Sequence, residues 1–556
     1  MNLGMLGRAR FRQSSPAFDK IFDKEGLTLE AVMDYGDDAA AELRLSNKKF
    51  LDFLDNAKLE VLINYLIAEP PEYLDSKLRF KYPFVACEFL ACSSQEINNR
   101  IIKGNALLEK LYSYLNSQEC LNITSLGYLS KVMQSLLSTS AYEVLRFLHD
   151  ENRIDLIIRH FYSKSLADLI GRLLLCEEYG NPEFQDALFD LIEKVVYCIS
   201  SENTIETVYN ASSLLIEIVS KKAQIKNWGY IFGYLLGDEC IEHIFKQVFE
   251  GNPIVKKEAS RLLCCLFNNV DMPDPDNSDD DNKIIDEEDQ KIISEMVKYM
   301  EQIENILKND EGTIRTSFNE EIPILGEGKI RMIEILASAI KIPSQRFNTL
   351  LADSQILKIS TDLMFQNYWN SFLHNAYYKL ISSIFETKSD ALKLSLLSQA
   401  ELPQRLYELM QSQIIPNQKI DIRKGHLGYA TKIGNLIIEN SSYPTIDNLL
   451  GESNEWKMFV SSFLIPQNRL DCIELGGKPA GTRSRLGSEQ DYDLPESTIQ
   501  QQEEEKKEEE RKENSEEICE PEVENKVEEI QKIGEDEYSE YNYWKPPVNI
   551  SELEEF

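Results

Sequence analysis

"DNAKLEVLINYLIAEPP", residues 55–71, sets Leu59, Leu62, Ile63, Leu66 and Ile67 at i, i+3, i+4, i+7 and i+8. That spacing lays one apolar stripe along one face of an α-helix. Pro70–Pro71 stops it, because proline lacks the N–H that the next turn needs. The same stripe recurs in "GNALLEKLYSYL" (104–115), "LGYLSKVMQSLLS" (126–138), "RIDLIIRHFY" (153–162), "SLADLIGRLLLCEE" (165–178), "EFQDALFDLIEKVVYCIS" (183–200) and "TVYNASSLLIEIVSKK" (207–222). It continues through "KIRMIEILASAIKI" (329–342), "QILKISTDLMF" (355–365) and "FLHNAYYKLISSIF" (372–385), with short Ser, Asn, Asp, Gly or Pro breaks between. No convincing period-two run and no Asn-Gly hairpin signal interrupts the pattern. The expected class is all-α: an irregular α-solenoid of stacked helix pairs, HEAT- or armadillo-like, with helices of about 12 to 18 residues. A compact multi-helix bundle is the alternative.

Of 556 residues 42% are hydrophobic, enough for a sizeable core. The net charge of −35, from 59 basic and 94 acidic residues, argues against a nucleic-acid or anionic-membrane surface, since neutralising phosphates needs clustered bases. The acidity is uneven. Residues 271–290 carry about −9 and residues 501–556 about −14, so two short segments hold roughly two thirds of the excess. "DMPDPDNSDDDNKIIDEEDQ" (271–290) is expected as a disordered acidic loop between helical blocks. The expected organisation is a flexible start at 1–16, a helical-repeat domain at 17–479 and a disordered acidic tail at 480–556.

Ten scattered cysteines form no CxxC pair, and most lie inside apolar runs, as buried reduced thiols do. The first residues have no apolar signal core, and no apolar run reaches the roughly 18 residues a membrane span needs. The expectation is a soluble cytoplasmic protein, a nuclear population also being open, with no membrane and no nucleic acid among its partners.

Catalysis finds little support. Five histidines are too few for a binuclear metallophosphatase centre, whose ligands sit on loops after strands. "GEGKI" (326–330) lacks the spacing of a phosphate-binding loop, and there is no G-x-S-x-G or H-E-x-x-H. The alternating carboxylates from Asp274 lack the glycine and closing glutamate of a calcium loop. No cofactor and no enzymatic activity are expected. Asn122 and Asn210 open glycosylation sequons that a cytosolic protein leaves unused.

"RFKYPFVACEFLAC" (79–92) concentrates bases, aromatics and cysteines. Pro83 suits the first turn of a helix, where its missing N–H is no loss. The "FVACEFLAC" that follows is apolar except for Glu88 and is expected to be heavily buried, with Arg79 and Lys81 at the helix entrance, pairing with Glu88 or pointing outward.

This segment, extended to "EPPEYLDSKLRFKYPFVACEFLAC" (69–92), resembles the hallmark region of the SAPS family, regulatory subunits of protein phosphatase 6-type (in yeast, Sit-four) serine/threonine phosphatases. "FDKIFDKEGLTLEAVMD" (18–34), "LGYLSKVMQSLLS" and "NASSLL" (210–215) are similar to family segments in the same order. So are "LGEGKIRMIEILASAI" (325–340), "DLMFQNYWNSFLHNAYYKLI" (362–381), "KGHLGYATKIGNLI" (424–437) and "LGGKP" (475–479), covering residues 17–479. Two departures are the missing aromatic-rich start and Gly428-Tyr429-Ala430 after "GHL". The resemblance implies a non-catalytic subunit that binds the phosphatase catalytic subunit and directs its substrate choice or location, often alongside ankyrin-repeat subunits. A transport or cytoskeletal helical-repeat adaptor is the other reading.

Polar residues inside the family-like segments are the candidate partner contacts: Arg79, Lys81, Tyr82, Lys131, Asn370, His374, Lys424 and His426. Asn370 and His374 lie four apart and so share a helix face, as a recognition ridge or a buried network; His426 is read as a helix cap. In the tail, Tyr543, Trp544, Pro546 and Pro547 of "YNYWKPPV" suit an extended docking motif. Ser484 and Ser488, near arginines, are candidate phosphosites.

Overall fold

The apolar stripes become helices that stack in chain order in the computed structural model, which describes residues 16–69, 79–226, 228–270, 287–309, 312–315, 317, 319, 321–412, 414–415, 422–440 and 444–471. Eight helices form a ladder in which each packs on the next: α1 (Lys81–Leu90), α2 (Ile123–Thr139), α3 (Lys164–Leu174), α4 (Ile205–Ser220), α5 (Pro253–Phe267), α6 (Glu327–Ala339), α7 (Ser371–Glu386) and α8 (Leu427–Glu439). Most rungs are backed by two further helices, as Ala141–His149 and Ile154–Arg159 follow α2, or Gln345–Asp353 and Ile356–Gln366 follow α6. The repeating unit is therefore a triplet more often than a pair. One continuous apolar core runs from Phe18 to Leu464.

Rung starts are written in the sequence as caps. Asn122 Oδ1 accepts from the Thr124 and Ser125 N–H groups, Thr204 Oγ1 from Thr207, Asn252 Oδ1 from Ile254 and Val255, and Asn370 Oδ1 from Leu373. Each satisfies first-turn donors that the helix leaves unpaired. Pro253 follows Asn252 at the first helical position, where its fixed φ is preorganised.

Rungs run parallel, because contacts join like ends. From the middle of α4, Ser212 Oγ donates to Glu258 Oε2 in the first half of α5 (2.8 Å), and further along both helices Cys265 Sγ approaches the Ile216 carbonyl (3.9 Å). Between α5 and α6, Lys257 pairs with Glu327 at one end (3.6 Å) and Asn268 donates to Ser338 Oγ at the other (3.0 Å). The Asn210 amide, buried in α4, donates to the Phe161 and Tyr162 carbonyls just ahead of α3 (2.9 and 3.1 Å). Its sequon is thus closed to modification by burial.

Rungs α1 to α4 begin 42, 41 and 41 residues apart, a register carried by helix starts rather than by repeated residue types. Connections between rungs are 24 to 40 residues long, except for 59 between Phe267 and Glu327.

Several expectations need correction. Two short hairpins interrupt the helices: β1 (Thr313–Arg315) with β2 (Glu321–Pro323), and β3 (Ile414–Ile415) with β4 (Ile422–Arg423). Period-two patterning arises only where one face is buried, and β1 is exposed throughout, Ile314 included. Many helices are shorter than 12 residues, since neighbouring rungs rather than length stabilise them. Of the segment expected as an acidic loop, residues 287–290 are helical, within Glu287–Lys298, and residues 271–286 lie outside the described residues.

Candidate partner-binding surface

Pro83 stands at the third position of α1, and Val85, Ala86, Cys87, Phe89 and Leu90 are buried as the sequence predicts. Burial pushes the Cys87 thiol up to about 12, so it is a packed thiol and not a nucleophile. Phe84 departs from that prediction: it is 44% exposed, its ring 6.4 Å from Tyr128 of α2.

Glu88 is met by Arg44 (2.5 Å) and Lys131, which tie α1 to the helix Asp37–Arg44 and to α2. Arg79 and Lys81 do not reach it. Lys81 and Glu88 are two turns apart, about 10 Å along the axis, whereas Arg44 and Lys131 come from neighbouring elements. Lys81 pairs instead with Asp34 (2.7 Å), which also accepts from the Tyr82 hydroxyl (3.3 Å). Those bonds hold the Asp34 carboxyl below the usual range and raise Lys81. Tyr82 packs on Tyr65 (5.5 Å), and the Arg79 guanidinium lies over Phe80 (5.4 Å). The structure therefore gathers Lys81, Tyr82, Phe84, Tyr128 and Lys131 on the first two rungs, a mixed aromatic and basic patch.

The second group divides. Asn370 is the cap of α7. His374 is 2% exposed, and its Nε2–H donates to the Asn367 carbonyl (2.9 Å). His426 is 1% exposed, and neither ring nitrogen has a hydrogen-bond partner among the described residues. Its ring lies among Phe365 (5.8 Å), Tyr368 (6.0 Å) and His374 (5.6 Å). Burial, then the neighbouring His374 and Lys424 charges, pull its pKa down to about 3. Neither histidine can touch a partner across this surface: His374 belongs to a buried polar joint between α7 and α8. His426 occupies the residue before α8 but caps nothing with its side chain. Gly425 is required beside it, since a Cβ there would lie 2.8 Å from the Tyr368 carbonyl oxygen. Lys424 reaches the surface, over the Tyr368 ring (5.5 Å) and donating to Ser412 Oγ (3.2 Å). Lys432, which the sequence reasoning passed over, bridges Tyr378 and Tyr429 (5.8 and 5.2 Å).

Sequence reasoning also missed a groove of about 450 Å³ across α4 to α7, containing Arg261, Arg331, Lys341 and Lys379. Arg261 and Arg331 are 70 residues apart, and only the ladder brings them together. Among the described residues no cluster of His, Cys, Asp and Glu is placed to hold a metal, and no helix is long and apolar enough to cross a membrane. Ser484, Ser488, Tyr543, Trp544, Pro546 and Pro547 lie outside the described residues.

Comparison with known proteins matches the family model described as SAPS, SIT4 phosphatase-associated protein, over residues 133–348 and 344–473. Similar curated proteins include serine/threonine-protein phosphatase 6 regulatory subunit 3 of Gallus gallus, 25% identical over 83% of this chain and 58% of that one. Regulatory subunit 2 of Homo sapiens is 24% identical over 86% and 56%. Extragenic suppressor of kinetochore protein 1 of Schizosaccharomyces pombe is 24% identical over 39% and 30%. The chain thus spans less than two thirds of the length of these relatives. Among solved structures, SYS-1 aligns at 12% identity and a TM-score of 0.33 over 81% of this chain and 76% of that one. The ladder itself, not that alignment, defines the architecture. With the family model covering more than half of the sequence and the quoted segments falling in order along the rungs, the chain belongs to the SAPS family.

Proposed function

We propose that this protein is a non-catalytic regulatory subunit that binds a protein phosphatase 6-type catalytic subunit and directs its substrate choice or location. The observation that carries the reading is family membership over residues 133–473, with relatives that are named regulatory subunits of that phosphatase. The long ladder supports it, since stacked helical repeats offer extended surfaces for protein partners. The aromatic and basic patch on α1 and α2 is our candidate first contact, because an exposed aromatic, Phe84, with half-buried Tyr82 and Tyr128 beside bases, is what interface cores draw on. An ankyrin-repeat subunit as a third component belongs to the same proposal.

The test is titration of the purified full chain with a phosphatase 6-type catalytic subunit, using a phosphatase 2A-type subunit as control. Selective submicromolar binding is expected, weakened at least about tenfold by combined Arg79→Glu and Lys81→Glu, which reverse the two bases at the entrance of α1, on the edge of the patch. Equal binding of both catalytic subunits, or none of either, refutes the assignment. Selective binding that ignores the double reversal refutes the patch and leaves the assignment standing.

A further inference from the structure

The mid-ladder groove is the feature that the regulatory reading does not absorb. Its floor and walls come from four consecutive rungs, and four bases enter it, Arg261 from α5, Arg331 and the adjoining Lys341 from α6, and Lys379 from α7. Two carboxylates, Glu334 and Glu386, line it with them, and Glu258 and Glu327 just outside pair with Arg261 and Arg331, so the positive charge left open to a ligand sits chiefly on Lys341 and Lys379. A cleft lined by bases focuses the field and raises the local concentration of anionic groups.

The bases differ in how far they are already engaged. Arg331 spends both terminal nitrogens on Glu327 (3.0 Å) and Glu334 (2.6 Å), while its Nε is without a hydrogen-bond partner. Arg261 gives one nitrogen to Glu258 (2.6 Å). Lys341 donates to Asn268 Oδ1 (3.0 Å), and Asn268 in turn donates to Ser338 Oγ. Lys379 is exposed, with no ion pair to any described residue. Ser382 and Ser383 add hydroxyls beside it.

Spacing decides what kind of anion fits. Packed helices lie about 8–10 Å apart, so charges on α5, α6 and α7 span roughly 16–20 Å across the rungs. One phosphate reaches across one such gap at most. An extended peptide advances about 3.3 Å per residue, so carboxylates two or three residues apart meet each rung in turn. We propose that this groove binds an acidic peptide segment in extended form, laid across α5, α6 and α7, with its carboxylates on Arg261, Lys341 and Lys379. The proposal concerns this chain alone and stands whether or not the phosphatase assignment does.

The test uses the purified full chain and three fluorescein-labelled octapeptides: alternating Asp and Ser, the same peptide with Lys in place of Asp, and a neutral Ser/Gly peptide carrying a single phosphoserine. Anisotropy should show micromolar binding of the Asp peptide that weakens as salt rises. The Lys peptide should not bind, and the phosphoserine peptide should bind at least about tenfold more weakly than the Asp peptide. Combined Lys341→Glu and Lys379→Glu should reduce binding at least about tenfold, with Lys457→Glu, an exposed reversal on another helix, leaving it unchanged. Because Lys341 bonds Asn268, Lys379→Glu alone serves as the second variant, with circular dichroism confirming the fold. Failure of the Asp peptide to bind, indifference to both groove variants, or tighter binding of the phosphoserine peptide overturns the proposal.

Discussion

Replacing Asn210 offers a direct measure of how the rungs are held together. Its amide donates both N–H groups, to the buried Phe161 carbonyl at 2.9 Å and the partly buried Tyr162 carbonyl at 3.1 Å, from a side chain only 5% exposed. Asn210→Ala leaves two acceptors unpaired. A buried group left without its partner costs about 1–3 kcal/mol, and the more open Tyr162 carbonyl falls near the low end because water reaches it. The sum is about 2–4 kcal/mol, roughly 30- to 700-fold in a local opening equilibrium. Stability in stacked repeats is a nearest-neighbour quantity, so the loss should be read locally, by hydrogen–deuterium exchange of peptides from α3 and α4. Asn210→Asp sharpens the test, because an ionised carboxylate there faces two carbonyl oxygens and must be worse than alanine near neutral pH. Protonation restores one O–H donor. The part of the aspartate penalty that comes from ionisation should therefore be absent below the ordinary carboxylate pKa, grow as pH rises and level off above the raised pKa of the folded state, leaving at low pH only the cost of the one carbonyl still unpaired. Exchange in α3 and α4 that changes less than about threefold in the alanine variant, or an aspartate variant indifferent to pH, would show that water or a backbone shift satisfies these carbonyls.

Two further outcomes follow from the α7–α8 joint. His426 is neutral when folded, with a pKa near 3 set mainly by burial, and takes a proton below about 6.5 when unfolded. Its contribution to stability is thus complete above 6.5 and is lost as pH falls toward 3, at up to about 1.4 kcal/mol per pH unit. Urea titrations at pH 7.0, 6.0 and 5.0 should show a shallower decline for His426→Phe than for the parent, and an identical decline would contradict the buried neutral ring. Gly425→Ala should destabilise by about 1–3 kcal/mol through its 2.8 Å approach to the Tyr368 carbonyl. Gly428→Ala, with open space around its Cβ inside α8, should be neutral or stabilise by up to about 1 kcal/mol; thermal midpoints distinguish the pair.

Helix periodicity made the ladder legible in advance, since Leu59, Leu62, Ile63 and Leu66 are buried as a stripe on one face, and rung after rung repeats the arrangement. What each polar residue touches was not legible. Glu88 is answered by Arg44 and Lys131, 44 and 43 positions away, and nothing near it in the chain announces either. His426 presented the look of a cap because it precedes an apolar run, yet the close approach permitted by Gly425 puts its ring inside. The hairpins escaped notice because β1 has no buried face to impose alternation. The groove escaped because its bases converge only across stacked helices.

The 59-residue excursion between α5 and α6 carries its own lesson. These two rungs meet as intimately as any others, through Lys257–Glu327 at one end and Asn268–Ser338 at the other, although their covalent connection is the longest in the ladder. Much of that connection is itself folded, since Glu287–Lys298 and Met300–Lys308 lie within it and bury Ile292, Met296, Ile303 and Leu307. The side-chain interface, not the backbone between, therefore specifies which helix is next. At this junction the distance along the chain does not decide which surfaces meet, and one apolar core runs through both rungs unbroken.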